Sequence, residues 1–504
     1  MWVGCGRVWT VTTDRLGGLD GLDGSAVRAW ARAALTGLER ARARIDAVNV
    51  FPVADSDTGT NVLLTVAGGV DGLKGLAPEA DQRAVAAAFA HGAMVSARGN
   101  SGVILSQYLA GFARSLRHGG DAPDVAQALA GAARSARQAL ADPQEGTVLT
   151  VADVVAQGAL IASDAGADLP TMLAEVLDDA HRALATISAV HPVLRRAHVL
   201  DAGACALLVV LGALAGVAAG QADPVPDLTW LPEAEAREES AGEGDSAGAF
   251  EVMALVRGGP RDLGAELRSS LGTVGDSVAV VGADGWWHVH VHTDDPEAAI
   301  GLCDVGVREQ VVVRLLDAVH GAAAVEGRPG LVACTASPAL AHWFATAGAI
   351  AVVRCPEAPT TAEHVMRAII DTGAARVVLL PGAGLETDEL AALVHAHPDV
   401  LIPLDADDEL RAAVAALAFA ASDGPPERSA AAALERLQET GSDDAQSLAR
   451  LVGALPGPGE NLTVLHRDPL DDADRAAIES ARAGLEVTFV GPTGHGRALV
   501  AGLD

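Results

Sequence analysis

The sequence predicts a multidomain protein with an all-helical N-terminal domain, a small α/β middle domain and a C-terminal α/β domain. Three observations carry this. Apolar residues recur at helical spacing from residue 26 to about 220; a segment rich first in proline and then in acidic, Ser and Gly residues interrupts them at 221–248; beyond it short β-rich runs alternate with amphipathic stretches. The expected division is 20–220, a linker at 221–248, then 249–325 and 330–504.

In chain order, "VRAWARAALTGLERARARIDAV", "GVILSQYLAGFARSLRH", "DVAQALAGAARSARQALA" and "TMLAEVLDDAHRALATI" each place an apolar stripe on one helical face. Short Gly, Asp, Ser and Thr clusters separate them, so the first region should hold roughly seven or eight helices. After the linker, "FEVMALV", "SVAVVG" and the strictly alternating "WWHVHVHT" read as strands, with "GPRDLGAELRSSLG" and "DPEAAIGLCDVG" as helical pieces. From residue 330, "GLVAC", "AIAVV", "ARVVLL" and "VLIPL" are apolar strand runs separated by helices, the pattern of a mainly parallel sheet. The stretch "SDGPPERSAAAALERLQETGSDD" reads as a second weak spot before a βαβ-like tail.

Composition excludes several functions. Among 504 residues the formal charge is −31, which opposes the phosphate neutralisation that nucleic-acid binding needs. The single lysine, Lys74, precedes a glycine, so there is no Walker-type phosphate loop. Five cysteines, Cys5, Cys205, Cys303, Cys334 and Cys355, lack CxxC spacing and suit buried thiols in a reducing compartment. The N-terminus has no apolar run of signal-peptide length, and the most apolar stretch, 204–220, is too short to span a bilayer. The expectation is a cytoplasmic protein without membrane insertion or a nucleic-acid partner.

The chemistry concentrates in four loops of the helical region. In "NVFPVADSDTGTN", residues 49–61, Asp55 and Asp57 flank Ser56 in a turn eased by Gly59. Hard cations such as Mg²⁺ take carboxylate oxygens together with substrate phosphates, so an Asp-x-Asp loop suits them; Asp, Ser and Thr also cap helices, and the spacing alone leaves both readings open. "SARGNSG" at 96–102, "EGTVLT" at 145–150 and "DAGA" at 201–204 also open helices with small polar residues, whose N–H groups and dipole favour an anion. Arg98 is the candidate for neutralising charge in the absence of a Walker lysine, with a structural pairing as the alternative.

These stretches, with "GAMVSARGNSGVILSQYLAG", "EGTVLTVA" and "HPVLRRAHVLDAGACAL", resemble in order and spacing the ATP-binding domain of dihydroxyacetone kinases, and more closely the ATP-binding subunit of bacterial fatty acid kinase. The likeness covers about 20–220 and extends to "GDSVAVVG", "HVHTDDP" and the C-terminal "ALVAGLD". It implies a barrel of helices that binds ATP phosphates at one end through Mg²⁺, with Asp55 and Asp57 as metal ligands and Asn49 near a further family aspartate. Thr58, Gly59, Thr60 and Asn61, together with Gly99, Asn100, Ser101 and Gly102, would support phosphates, and Thr147, Asp201 and Gly203 would line the nucleotide edge. Ser56 and Ala54 stand where the family usually has glycine and often proline.

In the middle domain, alternation puts His288, His290 and His292 on one strand face, a pattern suited to a transition metal. The resemblance implies a zinc site on the last two histidines and a cysteine of an earlier strand; here Glu251 takes the cysteine position, and His288 is the spare ligand. The expected function is ATP-dependent phosphorylation of a fatty acid carboxylate presented by a separate fatty-acid-binding carrier, giving acyl phosphate. Alternatives are a kinase of dihydroxyacetone or a polyol, and a non-catalytic ATP-binding scaffold. A homodimer is compatible with all three.

Overall fold

The computed structural model describes residues 18–50, 57–140, 143–233, 248–259, 261–283, 285–316, 328–457, 459–482 and 484–504. They form two units, a helical one and one built on β-sheets.

The helical unit contains α1 (Gly24–Ala47), α2 (Thr58–Asp71), α3 (Gln82–Val95), α4 (Gly99–Ser115), α5 (Ala122–Ala139), α6 (Val148–Asp164), α7 (Leu169–Ser188), α8 (Pro192–Ala197) and α9 (Ala202–Ala218). Asp23, Asp81, Asp168 and Asp201 each precede a helix and accept a first-turn N–H through the side chain. Small residues let neighbouring helices pack almost backbone to backbone. A Cβ added at Gly92 would lie 2.4 Å from the Gly68 carbonyl oxygen, and one at Gly111 would lie 2.6 Å from that of Gly131. Trp30 sets its edge against Phe89 and Phe112 at 5.8 and 5.1 Å between centroids, and donates from Nε1 to Val210 O at 2.9 Å. That bond satisfies the buried indole and ties α1 to α9. The stretch read as too short for a bilayer is α9, nearly all of it buried. No described helix is long and apolar enough to cross a membrane.

The sheet unit contains β1 (Phe250–Arg257), α10 (Gly264–Leu271), β2 (Asp276–Ala283), β3 (Trp286–Thr293), α11 (Pro296–Leu302), β4 (Val307–Leu315), β5 (Gly330–Thr335), α12 (Pro338–Thr346), β6 (Ile350–Val353), α13 (Ala362–Asp371), β7 (Val377–Leu380), α14 (Thr387–Ala396), β8 (Leu401–Pro403) and α15 (Glu409–Ala420). It continues through α16 (Pro426–Arg436), β9 (Gln438–Ser442), α17 (Ala445–Ala454), β10 (Asn461–His466), α18 (Asp472–Glu479), β11 (Glu486–Val490) and β12 (Leu499–Leu503).

One sheet runs across the expected boundary between residues 325 and 330, in the order β2-β3-β1-β4-β6-β5-β7-β8. Its first half is antiparallel and its second half parallel, joined where Val311, Val312 and Val313 pair antiparallel with Val353, Val352 and Ala351. Separate sheets would each have left a row of unpaired N–H and C=O groups there; pairing β4 with β6 removes both edges. One face buries Val252, Ala254, Val289, Val291, Val311 and Val313 in a core shared with Leu331, Ala333 and Phe344. A second, four-stranded sheet, β11-β10-β12-β9, includes the parallel β10–β11 pair of the tail.

The stretch read as a second weak spot is instead a helix followed by a strand, α16 and β9. Its prolines mislead: Pro426 sits at the first helical position, where a missing N–H costs nothing, and the alanine run behind it propagates the helix.

At the C-terminal end of β5, the carboxylate of Glu409 is buried and accepts from Thr335 Oγ1 at 2.9 Å and Ala336 N at 2.8 Å. Burial pushes its pKa from 4.5 up to about 7. The folded state therefore binds this proton more tightly than the unfolded chain. The resulting stability is full below about pH 4.5 and is lost as pH rises through 7. Glu409→Gln keeps the acceptor oxygen without the charge. The melting temperature of the variant minus that of the wild type is expected to rise by several degrees between pH 5 and pH 8, from an ionisation cost on the order of 2 kcal/mol. A difference that stays flat over this range would refute the assignment.

Candidate functional site

Two places in the structure gather the residues singled out from the sequence, one in each unit. In the helical unit, the N-terminal parts of α2, α4, α6 and α9 line one small, largely apolar cavity, to which they contribute Val62, Ser101, Val148 and Gly203. Tyr108 and Leu207 form part of its apolar wall. The helix starts recognised separately in the sequence thus meet at one end of the helices, with their orphan N–H groups and positive dipole ends near each other.

Local packing shapes these turns. Gly99 has φ +53°, and a Cβ there would lie 2.5 Å from Asn61 Nδ2, so the loop can lie against α2 only as glycine. A Cβ at Gly102 would meet Thr65 Oγ1 at 2.3 Å. Thr65 Oγ1 donates to Asn61 O at 2.7 Å and accepts from Arg98 N at 3.2 Å, which locks the start of α4 to the second turn of α2. Thr58 Oγ1 and Ser101 Oγ, one from each helix, are 3.2 Å apart. Asn100 lies in the first turn of α4, partly buried. Across the cavity, Thr147 Oγ1 donates to Gln144 O at 2.8 Å, and buried Asp201 accepts from Ala204 N at 2.6 Å while Ser188 Oγ accepts from Asp201 N. Burial pushes the Asp201 carboxyl up to about 6.

Asp55 and Ser56 lie outside the described residues, whereas Asp57 stands at the N-cap position of α2. Its side chain makes no capping hydrogen bond. The capping duty falls to Asp46, in the last turn of α1, which accepts from Thr60 N at 3.1 Å and Thr60 Oγ1 at 2.9 Å. Burial raises the Asp46 pKa, against the lowering effect of the Thr60 bonds. Asp46 was not singled out from the sequence; the signal was an acidic residue at a helix C-terminus, where the macrodipole disfavours it. Asn49 is buried just beyond, its N–H on Asp46 O.

Arg98 is buried with Nη1 donating to Ser96 O and Ala97 O at 3.1 and 3.2 Å. These bonds brace its own loop, the structural pairing weighed as the alternative for this residue.

In the sheet unit, the antiparallel register places Glu251 opposite His292 on one side and Arg314 on the other, with His290 opposite Met253. Alternation therefore sends Glu251, His290, His292 and Arg314 to the face away from the valine core. Glu251 Oε1 lies 3.1 Å from His290 Nδ1, Oε2 accepts from Arg314 Nε, and His290 Nε2 lies 3.1 Å from His292 Nε2. All four side chains are buried. Burial pushes His292 down to about 3 and keeps it neutral. Burial alone would raise the Glu251 carboxyl, but Arg314 and His290 outweigh it and hold it well below the usual range.

Ligand atoms of Glu251, His290 and His292 all lie within 4.8 Å of one another. His288 leaves the same strand face opposite Leu255 and falls outside this group. Neutral imidazoles and an ionised carboxylate are the donors a zinc-type ion takes, and the Nε2 separation is close to the edge of about 3.3 Å expected for two nitrogens on tetrahedral zinc. The residues fit such an ion. Arg314, which sequence reading passed over, completes the cluster through a pairing visible only in the register.

Two stretches of the chain match known families. Residues 52–216 match the DAK2 domain, and residues 247–314 match the FakA-like middle domain of fatty acid kinase. The chain thus carries a stretch similar to the DAK2 domain followed by one similar to the FakA-like middle domain, and the resemblance read from its motifs holds for both stretches. Among individual proteins, it is 31% identical over 287 residues to Protein YloV of Bacillus subtilis, covering 55% of this chain and 52% of YloV. An uncharacterized protein of Staphylococcus saprophyticus is 30% identical over 263 residues, covering 50% and 47%. One of Staphylococcus epidermidis is 26% identical over 390 residues, covering 71% and 70%. The chain thus spans about half the length of the first two relatives.

Proposed function

We propose that the protein is the ATP-binding subunit of a fatty acid kinase. It transfers the γ-phosphoryl group of ATP to the carboxylate of a fatty acid that a separate binding protein presents. A carboxylate oxygen forms the new bond to phosphorus, the bridging β–γ bond breaks, and ADP leaves beside an acyl phosphate. The observation that carries this reading is the convergence of four helix starts on one cavity, in a chain that joins these two domains.

In this reading residues 20–220 form the nucleotide-binding domain, with its helices arranged as a barrel. Asp55 and Asp57 hold Mg²⁺, which neutralises phosphoryl charge when bound. Thr58, Thr60, Asn61 and the turn from Gly99 to Gly102 position the phosphates, while Thr147, Asp201 and Gly203 border the nucleotide. Rate comes from positioning and electrostatics, the usual sources in phosphoryl transfer. Glu251, His290 and His292 hold a zinc ion in the middle domain, and 330–504 docks the carrier. The setting is the cytoplasm.

The test is ADP formation by the full chain with ATP and Mg²⁺, offered a carrier loaded with fatty acid, the free acid, or dihydroxyacetone. Turnover with the loaded carrier, and an acyl phosphate trapped by hydroxylamine, is expected. Turnover with dihydroxyacetone alone would replace the acceptor, and ATP binding without turnover in any arm would leave a binding protein rather than an enzyme.

A further inference from the structure

Both oxygens of the Glu251 carboxylate are already engaged. Oε1 faces His290 Nδ1 at 3.1 Å, and Oε2 accepts from Arg314 Nε. Arg314 reaches it because β4 pairs with β1 with these two residues directly opposite. Its side chain is largely buried, 11% exposed, and the guanidinium keeps its charge at every working pH. A metal ion that takes Glu251 as ligand therefore shares the charge of that carboxylate with Arg314. It must also bring its double positive charge into a buried pocket that holds a fixed positive charge.

We infer that Arg314 is a built-in competitor for the middle-domain metal: it compensates Glu251 in the metal-free protein and lowers the affinity of the Glu251–His290–His292 site. The inference rests on the reading of those three residues as a metal site. It assigns the guanidinium a role in the metal-free fold, because a buried carboxylate with no cation beside it is strongly destabilising. A site with such an internal counter-ion can fold before metal arrives, unlike one whose ligands depend on the ion for compensation.

The experiment uses the full chain, stripped with chelator and titrated with Zn²⁺ against a chromophoric competitor. Wild type, Arg314→Met and Arg314→Lys are compared, and Co²⁺ absorption reports the ligand set. Arg314→Met removes the charge at similar length and is expected to bind Zn²⁺ at least about tenfold more tightly, roughly 1.4 kcal/mol. Arg314→Lys should stay near wild type. Equal affinity of wild type and Arg314→Met overturns the competitor role while leaving the metal site standing; no binding by either protein overturns the site and the inference with it.

Should Arg314→Met fail to fold, wild type alone suffices. The Arg314 Nε–H signal, followed by ¹⁵N NMR, is expected to shift and exchange faster with water on saturation with Zn²⁺. An unchanged signal at one bound equivalent overturns the proposal.

Discussion

Asp57→Asn is expected to reduce ATP-dependent phosphoryl transfer by at least about a thousandfold, since it removes a full ligand charge from a metal site on which the transferred phosphoryl depends. The fold should be spared. The substitution changes side-chain volume little, and the first turn of α2 draws its hydrogen bonds from Asp46 rather than Asp57. The melting temperature should therefore stay within a couple of degrees of wild type, whereas Asp46→Ala, which strips those bonds from Thr60, should cost about 1 kcal/mol. Transfer within a few-fold of wild type at saturating Mg²⁺ would sink the ligand assignment. Loss of helical circular dichroism in Asp57→Asn would return the residue to a structural role. Asp55→Asn is expected to behave like Asp57→Asn.

Removal of the sheet unit is expected to abolish transfer completely while sparing nucleotide binding. A chain ending at residue 233 retains α1–α9 and the cavity that the N-terminal parts of α2, α4, α6 and α9 line. Its core is its own: Trp30, Phe89, Phe112 and the apolar length of α9 pack within the helical unit. Calorimetry should give an ATP affinity within a few-fold of the full chain. No acyl phosphate should form from a carrier-bound acid, because the surface proposed to seat the carrier lies in 330–504. If the shortened chain phosphorylates the carrier-bound acid as fast as the full one, the docking role is wrong.

Much of the candidate site was legible because it depends on short-range physics. Helical spacing and small polar residues mark the starts of α2, α4, α6 and α9 from a few neighbouring side chains, and the two-residue period of a strand puts His290 and His292 on one face. The resemblance supplied Glu251 as a partner. Its position directly opposite His292 became visible in the structure.

Other features depend on contacts between residues far apart in the chain. Arg314 looks like one more charge in "VREQVVVRL" until β4 pairs with β1 and sets it against Glu251. Asp46 looks like a solvated helix residue until α1 and α2 meet, and the bonds of Arg98 to the Ser96 and Ala97 carbonyls appear only in the folded loop. The apolar runs of β4 and β6 say that both are buried, but not that they pair with each other and merge two expected domains into one sheet. The sequence by itself determined the helices, the strand faces and the residue types of both candidate centres, since backbone dihedrals, caps and side-chain period act within a few residues. Only the tertiary structure decided register, the joining of the sheets and the charge partner of Glu251, because these follow from removing unpaired edges and uncompensated charge across long sequence separations.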